Sequence, residues 1–212
     1  MFAENYAAHY DLFNAAKPYR DEIEFVYNWA KQPKWIFDVG CGTAFYWKYY
    51  PYPTHIVGVD KSKAMISPIR DVICADITTY KHQGRFDCAT ALFDVINYIP
   101  QHHWWKNLPL NKNSYWIFDI WDKAKVDKKG FNTTVKEFGT MRRTIEPLEY
   151  KSRYVDLKIT VEDWLKKTSY VEVHRMYLFT HKDIVKFCSD LFDIIEVKHT
   201  KSWQVWYLCK RK

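Results

Sequence analysis

The sequence predicts an α/β fold: a doubly wound, mainly parallel sheet, closed by an antiparallel C-terminal strand pair and carrying a three-stranded antiparallel insertion. Three observations predict it. Over residues 34–120, apolar segments alternate with short polar or helical ones, the pattern of βαβ units whose strands are buried on both faces. Over Thr133–Leu178 the apolar residues instead recur with period 2, as in antiparallel strands that bury one face. The chain then ends on FDIIEVKH and WQVWYLCK, two strand-like runs joined by a short polar turn.

The elements follow in order. NYAAHYDLF is short and rich in tyrosine, and KPYRDEIEFVYNWAKQ reads as a helix with Ile23, Val26, Tyr27 and Ala30 at helical spacing and Pro18 in its first turn. Strands are expected at Lys34–Val39, His55–Asp60, Asp71–Ala75, Phe86–Leu92 and Ser114–Ile120. The connections after Asp60 and Asp76 are brief, so the sheet is a compact one. The insertion is expected as strands Thr133–Ile145, Tyr150–Asp163 and Thr168–Leu178, with turns at Pro147 and at Lys166-Lys167. A helix over His181–Asp190 precedes the terminal strand pair. The 212 residues therefore divide as an N-terminal cap (1–31), a core (34–120), the insertion (131–180) and a C-terminal helix and strand pair (181–212) within one domain.

Composition narrows the setting. With 48% hydrophobic and 27% charged residues the chain is globular rather than disordered. No apolar run is long enough to span a bilayer, and MFAENYAAHYD lacks the basic and apolar regions of a secretory signal. The 5 cysteines, Cys41, Cys74, Cys88, Cys188 and Cys209, form no CxxC pair, so neither a metal site nor a disulfide framework is expected, and a reducing cytoplasm fits. The formal net charge of +7 invites an acidic partner, but the lysines are scattered as on a solvated surface.

The chemistry concentrates in WIFDVGCGTAF at 35–45. An apolar strand ends in Asp38, and Gly40 and Gly42 follow at the carboxyl end of a central strand, where open α/β sheets bind ligands. The next strand, HIVGVD, ends in Asp60, whose two oxygens suit a ribose diol. Together they indicate a nucleoside cofactor. The dinucleotide fingerprint GxGxxG fails, because Phe45 stands where its third glycine belongs. A carboxylate at Asp38 would repel a pyrophosphate and suits an ammonium, directly or through water and neighbouring amides. S-adenosylmethionine carries one. In ICADI, Asp76 is placed to accept from an adenine amine while the Ile77 backbone N–H donates to a ring nitrogen. Met65 is placed to cover the adenine face, or to pack as a core methionine.

DVGCGT, GVDKSKAM, CADI and RFDCATALFDVINYI resemble successive motifs of class I S-adenosylmethionine-dependent methyltransferases, nearly end to end along the chain. NYAAHYDLFNAAKPYRDEI is similar to the cap of the small-molecule branch that includes amino-sugar N,N-dimethyltransferases, and FDIWDKAKV and VEVHRMYLFT are similar to segments of glycan-associated relatives. Ala44 departs from a glycine found in many members. The resemblance implies a Rossmann-like single methyltransferase domain. It also implies that Asp38, Gly40, Cys41 and Gly42 form the loop beside the methionine moiety. Asp60 and Lys61 would stand at the ribose, Met65, Asp76 and Ile77 at the adenine, and Phe93 near the sulfonium. Tyr6, Tyr10 and Tyr19 match cap tyrosines that close over cofactor and acceptor.

The acceptor side is read from the residues. A hydroxyl acceptor needs a base and an amine must arrive neutral. Tyr98 and His174 are the candidates. Period 2 puts Glu172 on the face of His174 and Arg175 on the opposite one. His102 and His103, beside Trp104 and Trp105, read as a surface helix start rather than a metal or stacking site. The expected acceptor is a small polar molecule, a sugar or amino sugar first. LFDVINYIP lacks the Asp/Asn-Pro-Pro-aromatic motif of amino-group DNA methylation, which argues against nucleic acid, although RNA or protein acceptors and a non-catalytic binding module remain alternatives. The insertion leaves the sheet on its ligand side, so its apolar face either roofs the acceptor pocket or pairs with a second copy as a homodimer. No membrane partner is expected.

Overall fold

The computed structural model describes residues 4–66, 71–200 and 202–212, so the first 3 residues of the expected cap lie outside the described ones. In chain order the elements are α1 (Glu4–Ala7), α2 (Tyr10–Asn14), α3 (Tyr19–Trp29), β1 (Trp35–Val39), β2 (His55–Asp60), β3 (Val72–Cys74), β4 (Phe86–Ala91), β5 (Leu110–Trp121) and α4 (Lys123–Lys129). There follow β6 (Thr134–Phe138), β7 (Met141–Lys151), β8 (Tyr154–Asp163), β9 (Thr168–Tyr177), α5 (His181–Cys188), β10 (Phe192–His199) and β11 (Gln204–Arg211). A seven-stranded sheet runs β3-β2-β1-β4-β5-β11-β10 and a four-stranded sheet β6-β7-β8-β9. In the first, β1 to β5 pair in parallel, and β11 is antiparallel to both β5 and β10. The doubly wound sheet, its reversed terminal pair and the separate antiparallel sheet are thus all present.

Helices cover the large sheet only in part. On one face α3 lays Ile23 and Val26 against Ile36 of β1 and Leu208 of β11. On the other, Ile184 and Cys188 of α5 share the core with Phe118 and Tyr207. Between β1 and β2 the chain makes only a 3-10 helix, Phe45–Tyr49, and between β4 and β5 two more, Val95–Tyr98 and His103–Asn107. Neither connection forms a full crossover helix, and large rings supply burial there instead. Trp104, Trp105 and Trp116 are fully buried and meet edge to face. His103 does begin a short helix, as the sequence suggests, but its tryptophans are core and no stacking platform is exposed there.

The insertion corrects the expected strand count. The run read as one strand, Thr133–Ile145, is a hairpin: β6 and β7 turn through Gly139, at φ +60°, and Thr140, with Phe138 opposite Met141. Pro147 is not a turn. It lies within β7 beyond Ile145, where β6 has ended, next to a bulge between Pro147 and Glu149, so its missing N–H costs no ladder bond to β6. Lys167 does turn, at φ +53°. Alternation then holds: Met141, Arg143, Val155, Leu157, Ile159, Val161, His174 and Met176 are buried, and Arg175 turns outward onto Asp156 at 2.6 Å and 2.7 Å. Tyr6 and Phe13 of the cap pack on the buried face, against Met141, Ile159 and Val161.

All five cysteines are free. Among the described residues no group of His, Cys, Asp and Glu is placed to hold a metal, and no helix is long and apolar enough to cross a membrane.

One glycine couples the sheet to the loop after β1. A Cβ on Gly58 of β2 would stand 2.6 Å from Cys41 Sγ and 2.7 Å from Trp47 Cζ2. Gly58→Ala is therefore expected to destabilise the chain by about 1–3 kcal/mol, the usual cost of overpacking a filled site. Urea denaturation measures it, with a lowered midpoint and an unchanged m-value as the expected result.

Candidate active site

A cavity of about 850 Å³ opens at the carboxyl ends of β1, β2, β4 and β5. The inner face of the four-stranded sheet roofs it, and the cap closes one side. Of the two uses expected for that face, it therefore roofs the cavity.

The loop after β1 is shaped by its neighbours. Gly40 sits at φ +67°, and a Cβ there would meet both methyl groups of Val95 at 2.6 Å. Gly42, at φ +54°, has Met65 Cε 3.2 Å from where its Cβ would be. A side chain at Gly40 would displace Val95, and one at Gly42 would hold a left-handed φ and press on the Met65 methyl group. Gly40 and Cys41 both donate their backbone N–H to Val59 O, at 2.7 Å and 3.3 Å. The Cys41 thiol fills the space left by Gly58, and burial pushes its pKa up, so it packs as a neutral group.

Asp38 is buried and does not itself line the cavity. One oxygen accepts from Tyr46 Oη at 2.5 Å and Trp47 Nε1 at 2.7 Å, the other from Thr90 Oγ1 at 2.8 Å. Burial lifts its pKa to about 6 against these three hydrogen bonds. With both oxygens engaged, Asp38 ties the 3-10 helix after the glycine loop to β4 and sets the loop's shape from behind. Tyr46, Trp47 and Thr90 were not singled out in the sequence. The only signal was that a buried carboxylate requires donors.

Asp60, Lys61, Met65, Asp76 and Ile77 all line the cavity. Asp60 lines the cavity and accepts from Gly42 N at 2.9 Å and Ser62 N at 2.8 Å, which leaves further lone pairs on both oxygens. Burial raises its pKa, opposed by those N–H groups and by Lys61, which lines the rim beside it. Asp76 accepts from Thr78 N and Oγ1 with one oxygen. Partial burial alone would raise its pKa, but Thr78 and Lys61 hold it below the usual carboxylate value. Buried Met65 and Ile77 line the wall between these carboxylates. Phe93 follows β4 at φ +65° with its ring edge-on to Tyr19 and Tyr46.

The roof and cap supply the other end. Tyr6, Tyr10 and Tyr19 all line the cavity, and burial raises the pKa of each phenol. His174 Nε2 lies 2.8 Å from Glu172 Oε2 and its Nδ1 2.9 Å from Tyr98 Oη. Burial lowers the His174 pKa, opposed by Glu172, and pushes Tyr98 well up. The ring is therefore neutral near pH 7: Nε2–H donates to the Glu172 carboxylate, and Nδ1 accepts from the Tyr98 hydroxyl. Tyr98 keeps its proton and lines the cavity. Buried Asn97 fixes this corner by donating to Tyr177 O at 2.6 Å and accepting from Trp121 N at 3.0 Å.

Asp94 and Arg143 are among the lining residues that the sequence analysis did not single out. Asp94 follows Phe93, and its N–H donates to Asp119 Oδ2 at 3.0 Å. Burial raises the Asp94 carboxyl, opposed by Lys17 and by hydrogen bonding to Asp119, while burial and the neighbouring Asp94 charge push Asp119 far above the ordinary value. Arg143 projects from β7 onto the cavity face.

No family model matches the chain, and no curated protein does. Solved structures do. The chain is similar to an S-adenosylmethionine-dependent methyltransferase from Clostridium acetobutylicum (20% identity, 98% of both chains, TM-score 0.78). It is also similar to DesVI from Streptomyces venezuelae (15%, 100% of both chains, 0.82). A third is CalS10, an amino pentose methyltransferase from Micromonospora echinaspora, solved with S-adenosylmethionine bound (16%, 100% of this chain and 98% of that one, 0.74). At these identities the likeness shows the fold that the chains share.

Proposed function

We propose that this chain is an S-adenosylmethionine-dependent methyltransferase acting on a small polar acceptor, a sugar or amino sugar first. The observation that carries the reading is one cavity with two ends. Asp60, Asp76 and the glycine loop stand at one end, and the Glu172–His174–Tyr98 chain stands at the other, under the roof. Its volume of about 850 Å³ has room for a nucleoside cofactor together with a small acceptor. The amino pentose acceptor in CalS10's description supports a sugar.

The residues fit the cofactor. Asp60 would take the ribose diol, Asp76 and the Ile77 N–H the adenine, Met65 its face, and Gly40 and Gly42 the close backbone approach. Bound there, S-adenosylmethionine supplies an electrophilic methyl group on a good leaving group. The chain's own work is then to orient the acceptor and take its proton. An acceptor N–H or O–H donates to Tyr98 Oη, the Tyr98 proton passes to His174 Nδ1, and Glu172 stabilises the imidazolium through Nε2–H. Tyr6, Tyr10 and Tyr19 exclude water from that end. Pairing with a second copy, the other use expected for the insertion, is left to its outer face, where Val171 and Val173 are exposed.

A screen with radiolabelled methyl donor over sugars, amino sugars, simple amines and RNA tests the reading. Label is expected in a sugar or amino sugar. Label in RNA alone would move the acceptor class, and label in nothing despite cofactor binding would leave a non-catalytic binding module.

A further inference from the structure

Arg143 presents an uncompensated charge. It is 8% exposed, yet none of the ion pairs among the described residues includes it. Its neighbour Arg142 pairs with Glu137, and Arg175 pairs with Asp156 on the outer face. Arg143 instead donates one N–H to Tyr6 Oη at 3.2 Å and lies 5.3 Å and 5.4 Å from the ring centres of Phe13 and Phe138. The rings hold the guanidinium in place without neutralising it. A guanidinium cannot shed its proton, and burying one without a counter-ion is costly. Of the acidic residues on the same sheet face, Glu172 is engaged by His174, and Asp163 by Lys166, Thr140 and the backbone of the turn after β8. The side that remains to Arg143 is the cavity it lines.

We propose that Arg143 is the anchor for an oxyanion on the acceptor, a carboxylate or a phosphate, so that the substrate is an anionic small molecule rather than a neutral sugar. The word acceptor rests on the methyltransferase reading; the anion subsite rests on Arg143 itself. The planar fork suits either oxyanion, because both accept two parallel N–H bonds. Placement fits as well. Tyr6 touches Arg143 on one side, and its ring centre is 6.2 Å from that of His174 on the other, with Tyr98 next in line. One tyrosine therefore separates the anion end from the proton-accepting end, a span that a functionalised monosaccharide bridges. Anchoring the distant anion would fix the angle at which the acceptor's nucleophile reaches Tyr98.

Calorimetric titration with glucose, glucuronate and glucose 6-phosphate tests this, on the chain with and without S-adenosylhomocysteine. At least one anion is expected to bind about tenfold or more tighter than glucose, and whichever binds better identifies carboxylate or phosphate. Arg143→Gln is expected to weaken that anion by about 10–100-fold while leaving glucose unchanged, the scale of a lost charged hydrogen-bond pair. Arg143→Lys keeps the charge and the fold but not the fork, and is expected to lose about 5–10-fold. Anions that bind no better than glucose, or an anion affinity indifferent to both substitutions, would overturn the proposal. Failure of the chain to bind S-adenosylhomocysteine while the anion binds through Arg143 would count against the methyltransferase reading and uphold the subsite. The converse outcome would separate them the other way.

Discussion

His174→Ala is expected to lower kcat for methyl transfer by about 10²–10⁴-fold, the usual worth of a positioned acid–base group. S-adenosylhomocysteine affinity should stay within about threefold, because the ring touches the acceptor's proton path and not the nucleoside end. The pH profile gives a second signature. Burial lowers the His174 pKa from the ordinary value, and only the neutral ring accepts a proton. Wild-type kcat should therefore rise with pH along a limb centred below about 6.5, the unperturbed histidine value, and be flat above it until other groups titrate. The alanine variant should lose that limb. Tyr98→Phe should lower kcat too but keep a weakened limb, since it removes the relay and leaves the base. Steady-state kinetics across pH 5–9 on the labelled acceptor separates these cases. A His174→Ala enzyme with unchanged kcat would remove His174 from the mechanism without touching the cofactor site.

Asp60→Ala is expected to weaken S-adenosylhomocysteine binding by about 10²-fold or more, since a charged acceptor makes hydrogen bonds worth about 1.5–3 kcal/mol each. The substitution also frees Gly42 N and Ser62 N, so part of the loss comes from the glycine loop. Asp60→Asn keeps an acceptor for one of them and is expected to lose less. Equilibrium dialysis gives both constants. The same variants should leave Arg143-dependent anion binding unchanged, because the two ends of the cavity share no side chain.

The large sheet and the carboxylates and glycines at its ligand edge were legible in the sequence because they are local. A strand that ends in a carboxylate and a glycine turn announces its own chemistry, and βαβ topology brings such strand ends to one edge. The alternation of β9 likewise announced that Glu172 and His174 share a face. The partnerships reaching across the chain were not legible. Asp38 receives its donors, Tyr46, Trp47 and Thr90, through a 3-10 helix and another strand. Arg143 was hidden by the misread hairpin. Phe138 and Met141 are three residues apart, out of step for one strand, and Gly139 lies between them, so the parity change was the available signal. Nothing in the local pattern could show that Tyr6, 137 residues away, would meet Arg143.

The central claim is that this cavity holds S-adenosylmethionine. Thermal unfolding of the chain with S-adenosylhomocysteine, and in parallel with NAD, tests it most directly. S-adenosylhomocysteine at 100 times its Kd should stabilise the native state by about 2.7 kcal/mol by mass action, and raise Tm accordingly, while NAD should leave it unchanged. A chain stabilised by NAD and indifferent to S-adenosylhomocysteine would contradict the account.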